Sequence, residues 1–61
     1  MEKSKIKLER KRSGMSISKM AKLLDISYTT YWRKENNPHN FTVKEVELLL
    51  AYFDKEFYDL F

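Results

Sequence analysis

The chain has no cysteine and only one glycine (Gly14), one proline (Pro38) and one histidine (His39) in 61 residues. Without cysteine there is no disulfide, no thiolate metal site and no thiol nucleophile. A single glycine excludes a glycine-rich phosphate loop, and so little glycine and proline excludes a low-complexity linker. His39 has no second histidine to share a metal with and reads as a loop residue, so no metal is expected. No apolar run approaches the roughly 18 residues of a membrane span. The charged start Met1-Glu2-Lys3-Ser4-Lys5 leads into no signal-like apolar stretch, so the expected location is cytoplasmic. No acid–base pair and no nucleophile with an adjacent base is visible, and so small a core leaves little room for a substrate pocket. An enzyme, a cofactor and a small-molecule substrate are therefore not expected.

What remains is a composition of the ordinary globular kind, 43% apolar and 34% charged, long enough for one domain over residues 1–61. The net charge of +3 is unevenly spread. Residues 1–34 carry ten Lys/Arg against Glu2, Glu9 and Asp25, a net of +7. Residues 35–61 carry Lys44 and Lys55 against six carboxylates, a net of −4. Such a division suits one half facing a polyanion and the other serving as scaffold or partner surface, although a solvated basic helix gives the same arithmetic.

Punctuation cuts the chain into five short segments, all helical in pattern. The first runs from about Lys3 to Ser13, is closed by Gly14, and has Ile6 and Leu8 on different faces. The second starts at Ser16 as N-cap and carries Ile17, Met20, Ala21, Leu23 and Leu24, an amphipathic spacing. Asp25-Ile26 breaks it, and Ser27 caps a third helix through about Asn36, ended by Asn36-Asn37-Pro38. Thr42 with Glu45 three residues on forms a capping box for the fourth, whose expected buried stripe is Val43, Val46, Leu49, Leu50 and Phe53. Asp54 is expected to cap a last helix, Lys55 to Leu60, that turns Phe57 and Leu60 (or Phe61) inward. Met15 and Met20 read as core fillers. No strand-like alternation appears, so the fold class is all-α.

The stretch from Ser16 to Asn37 joins two short helices by a turn of three or four residues, the layout of a helix-turn-helix. In that motif the second helix enters the DNA major groove while the first crosses the backbone. Ala21 is small where the helices would cross, Ile26 is apolar so that the turn can plug into the core, and Ser27 caps the second helix, whose exposed amides can also sit near a phosphate. Lys19 and Lys22 on the first of the two helices are placed to meet phosphates. Most of the cluster Lys3, Lys5, Lys7, Arg10, Lys11 and Arg12 reads as solvated face.

Ala21-Lys22-Leu23-Leu24-Asp25-Ile26-Ser27, followed by Thr30-Tyr31 and Glu35, resembles the Cro/CI (XRE-like) family of phage and bacterial repressors. The resemblance covers Ile6 to Phe61 and implies a compact five-helix, lambda-repressor-like DNA-binding domain. It implies a buried ion pair between Arg10 and Glu35. It implies phosphate contacts from Ser16 and the amides after it, from Asn36, and from the loop holding His39 and Asn40. Tyr28, Thr29, Trp32 and Arg33 match its base-edge positions.

Several positions depart from the family. Ile17 stands where a glutamine usually grips the backbone. Asp25 replaces a turn glycine at a cost of about 1 kcal/mol if left-handed, and Asn37 replaces another glycine. Lys34 occupies an often apolar site, where its stem would pack and its ammonium snorkel outward. Glu9 and Ser13 thin the core, so marginal stability is expected.

Two positions stay open. At 100° per residue Tyr28, Tyr31, Trp32 and Glu35 form one stripe that periodicity would bury, whereas the family register buries Tyr31 and turns Trp32 toward DNA, against a thymine methyl or sugar edges. Arg33 suits guanine O6 and N7, with an ordinary surface arginine or a phosphate contact as its alternatives. The aromatic end of the chain packs partly under the last helices, and Tyr52, Tyr58 and Phe61 either join that core or form a homodimer surface.

The expected function is sequence-specific binding of a double-stranded DNA operator by a phage or mobile-element repressor acting through occupancy. An excisionase-like or antitoxin protein on the same fold is one alternative. A protein-interaction module without DNA binding is another.

Overall fold

A computed structural model of the chain describes residues 4–61. Lys3, the expected first residue of the first helix and a member of the basic cluster, lies outside the described residues.

The described residues form five α-helices and no strand: α1 Lys5–Arg12, α2 Ile17–Leu24, α3 Tyr28–Asn36, α4 Val43–Phe53 and α5 Phe57–Leu60. A single 3₁₀ turn, Pro38–Asn40, links α3 to α4. Ser4, Ser16, Ser27 and Thr42 each accept a hydrogen bond from the backbone amide three residues on, satisfying one of the orphan donors of α1, α2, α3 and α4. At Thr42 the capping box is complete, because Glu45 Oε1 accepts from the Thr42 amide at 2.9 Å.

Three helices end in one geometry. Past α1, the Met15 amide donates to the Arg10 carbonyl and the Gly14 amide to that of Lys11. The same paired bonds run from Ile26 to Ala21 and Asp25 to Lys22 after α2, and from Lys55 to Leu50 and Asp54 to Ala51 after α4. This is the Schellman motif, and it places a left-handed residue just past each helix. Gly14 (φ 72°), Asp25 (φ 59°) and Asp54 (φ 56°) fill the three places. Asp54 thus ends α4 and does not cap α5, whose N-cap is Glu56, and α5 begins at Phe57, later than the expected Lys55. Asn37 has φ −142°, so its position needs no left-handed residue and substituting glycine there carries no such strain.

The core is one cluster of Ile6, Met20, Ala21, Leu24, Tyr31, Phe41, Leu49, Phe53 and Leu60. Met15, Ile17, Ile26, Val46, Leu50 and Phe61 pack against it, partly buried. Val43, expected in the α4 stripe, is 76% exposed because it sits in the first turn, where that face has already left the core. Leu23 is also partly exposed, lying off the 17, 20, 21, 24 row that faces inward. Phe57 is half exposed, since α5 is a single turn and Leu60 takes its inward position. The Phe57 ring stacks on Phe61 at 5.0 Å, and Phe61 meets Phe41 edge-on at 6.1 Å.

Candidate nucleic-acid interface

The position of α3 is fixed from its inner side. Arg10 Nε donates to Glu35 Oε2 at 2.8 Å and Nη2 to Oε1 at 3.2 Å, a fork-on-fork pair with both side chains buried. Tyr31 Oη adds a 2.7 Å hydrogen bond to Glu35 Oε2, and Arg10 Nη1 donates to the Met15 carbonyl at 3.0 Å. Burial first, then the Glu35 bond, pushes the Tyr31 phenol far above its ordinary range, so it remains a donor. The network leaves nothing orphaned: among the described residues no buried side-chain nitrogen or oxygen lacks a partner.

A second clamp holds the same last turn of the helix on another side. Lys34 Nζ lies 2.7 Å from Glu45 Oε1, so the ammonium does not snorkel into solvent but ties α3 to the start of α4. Burial opposes ionisation of Glu45, yet the Lys34 and Thr42 hydrogen bonds outweigh it and hold the carboxyl below its usual range. Lys34 and Glu45 are eleven residues apart, and no local spacing foretells their meeting.

With Tyr31 and Glu35 at 0% and 1% exposure, the helix must turn its other residues outward. Tyr28 and Trp32 are 54% and 50% exposed, and Thr29 and Arg33 are exposed beside them. The open question of the Trp32 ring is thereby answered: periodicity alone misassigns it, because the buried ion pair selects a different helix face. The outer surface is two rows, Tyr28 above Trp32 and Thr29 above Arg33, each pair one turn apart.

The other candidate residues flank this surface. Ser16 and Ser27 are exposed at the starts of α2 and α3, their hydroxyl oxygens already accepting from backbone amides. The Ser27 hydroxyl also donates to Thr30 Oγ1 at 2.8 Å. Lys19 and Lys22 are exposed on α2, the helix that packs most extensively on α3. Asn36 turns its amide back on its own helix, Nδ2 donating to the Trp32 carbonyl at 2.8 Å. Asn36 and His39 line one half-open groove of about 320 Å³ with Lys5, and Asn40 is exposed nearby in the 3₁₀ turn.

The profile of the helix-turn-helix family matches residues 6–60. The chain belongs to the helix-turn-helix family. Within it the chain is XRE-like, and such domains bind DNA sequence-specifically and regulate transcription. No curated protein and no solved structure is significantly similar to the chain. In helix-turn-helix terms α2 and α3 are the two motif helices. Among the described residues no helix is long and apolar enough to cross a membrane.

At the carboxyl-terminal end the structure does not gather the three candidate dimer residues into one cluster. Tyr52 packs edge-on against Phe53, with its hydroxyl 3.1 Å from Met15 Sδ. Tyr58, 84% exposed, lies beside Phe57, and its carbonyl accepts from Lys5 Nζ. Phe61 is half-buried, and Phe57 presents the more exposed ring of that stacked pair.

Proposed function

We propose that this helix-turn-helix protein is a repressor of the Cro/CI type, encoded by a phage or mobile element, that acts by occupying its operator. The carrying observation is the outer face of α3, where Tyr28, Thr29, Trp32 and Arg33 are all accessible while the opposite face is locked to the core. Arg33 supplies a guanidinium fork suited to guanine O6 and N7. Lys19 and Lys22, with the amino ends of α2 and α3 at Ser16 and Ser27, take flanking phosphates, and Asn36, His39 and Asn40 take a second phosphate region. Asn36 serves there through the second hydrogen of its side-chain Nδ2, the first being donated to the Trp32 carbonyl.

One such domain reads only a few base pairs, so two copies act together on a pseudo-palindromic site with half-sites about one helical turn apart. The copies meet through Tyr58 and Phe61, whose rings Phe57 links, with Tyr52 contributing separately from its place against Phe53 and Met15. Selection of bound sequences from a random duplex pool tests the reading. A palindromic consensus, with repression of a reporter when that site overlaps the promoter, is the expected result. Enrichment of no sequence, or activation from the same site, overturns it.

A further inference from the structure

Two aromatic rings, one turn apart and half in water, are an unusual outer face for a helix. Hydrating that much ring surface is unfavourable, so Tyr28 and Trp32 gain by removal from water when a partner arrives. The polar groups on the same face narrow what the partner offers. No carboxylate lies among Tyr28, Thr29, Trp32 and Arg33, so a cytosine amino group meets only the hydroxyl oxygens of Tyr28 and Thr29 there, without the carboxylate that reads it best. The Asn36 amide donates one Nδ2 hydrogen to the Trp32 carbonyl, which holds it back against its own helix and out of the pose for a bidentate pair with adenine. The dominant features left are one guanidinium and two aromatic faces, beside the Tyr28 and Thr29 hydroxyls.

In the major groove the apolar feature of a base edge is the C5-methyl group of thymine. We infer that Tyr28 and Trp32 form a methyl-reading pair, so that the preferred half-site sets a C5-methylated pyrimidine against these rings, next to the guanine read by Arg33. This rests on α3 being the DNA-facing helix. It goes further, because the rings recognise the methyl and not the base that bears it. A 5-methylcytosine at the same position presents the same group at the same place, and cytosine methylation therefore strengthens binding. Methylation of the operator becomes an input that the reading helix registers directly.

Sites selected from a random duplex pool are re-synthesised with each enriched thymine changed to deoxyuridine, cytosine or 5-methylcytosine. Thymine differs from deoxyuridine, and 5-methylcytosine from cytosine, by the methyl alone. Fluorescence anisotropy of each duplex is expected to show about fourfold tighter binding for the methylated member of both pairs, the worth of one buried methyl-sized group. Tyr28→Ala/Trp32→Ala brings both ratios to one. Lys22→Ala weakens every duplex alike and keeps the ratios, and Tyr28→Phe keeps them too because the ring is retained. Circular dichroism verifies that each variant is folded. A consensus with no invariant thymine, equal affinity within both pairs for the unaltered protein, or ratios unchanged in the double variant overturns the inference while leaving DNA reading intact. A pool from which nothing is enriched overturns both.

Discussion

Arg10 and Glu35 sit twenty-five residues apart in the chain and meet through two nearly parallel hydrogen bonds of 2.8 and 3.2 Å. The residue thus anchored is on the same helix as Trp32 and Arg33, so the pair fixes the roll of α3 about its own axis. Breaking one side of a buried pair leaves a desolvated charge without a partner, at about 3–5 kcal/mol. Arg10→Met or Glu35→Leu alone is expected to remove most of the stability of so small a domain. Arg10→Met/Glu35→Leu/Tyr31→Phe, which removes both charges and the phenol together and leaves only the Met15 carbonyl without its side-chain donor, should be more stable than either single variant. Urea unfolding followed by circular dichroism measures the order, and a triple variant weaker than both singles would falsify this account.

The two left-handed aspartates predict gains. Asp25→Gly relieves a residue at φ 59° and should stabilise by about 0.5–1 kcal/mol. In a domain of this size that raises Tm by several degrees, at about 4–8 °C per kcal/mol. Gly14→Ala has the opposite sign. A Cβ there meets nothing within 4 Å, so the loss of about 1 kcal/mol comes from backbone strain alone. Thermal melts of both variants, each compared with the parent chain, check the pair of signs.

Acid should loosen the join between α3 and α4. Glu45 has a folded pKa below its ordinary 4.5, so its contribution is present above that value and is lost as pH falls through the depressed folded one. The chain should therefore lose stability as pH falls below about 4.5, more gently in Glu45→Gln. Lys34→Met removes the main bond that holds the carboxyl down, leaving burial less opposed, and should move the acid midpoint of unfolding upward. A midpoint unchanged in Lys34→Met would show that the 2.7 Å contact carries no such coupling.

The salt dependence of DNA binding should be modest for so basic a segment. Arg10 and Lys34 are spent on internal carboxylates, which leaves Lys19, Lys22 and Arg33 on the proposed face. With about 0.9 counterion released per phosphate neutralised, Lys22→Ala should make the slope of log K against log salt shallower by about one unit for each copy bound. Arg33→Ala should instead relax base preference at one position by about 1–3 kcal/mol. Titrations of one operator duplex at several salt concentrations separate the two behaviours.

Local chemistry made much of this fold legible. Ser16, Ser27 and Thr42 start their helices because a hydroxyl before an apolar-periodic run has few other uses, and Gly14 marks the end of α1 for an equally local reason. Asp54 misled, since aspartate serves both ends of a helix and only tertiary context chooses. Val43 and Phe57 misled because a helix of one to three turns shows too few residues to fix which face is inward. The register of α3 is beyond any period-based reading: Tyr31 and Trp32 are neighbours of similar apolarity, and the choice between them is made by Arg10, a residue of another helix.

The core cluster draws a member from every helix: Ile6, Met20, Tyr31, Leu49 and Leu60 belong to α1 through α5 in turn. No helix can then detach without opening the whole cluster, so amide protons in α2, α3 and α4 should exchange through one shared global event. Warming would not fray the reading helix by degrees; the protein would keep its grip on DNA up to its melting transition and release it all at once.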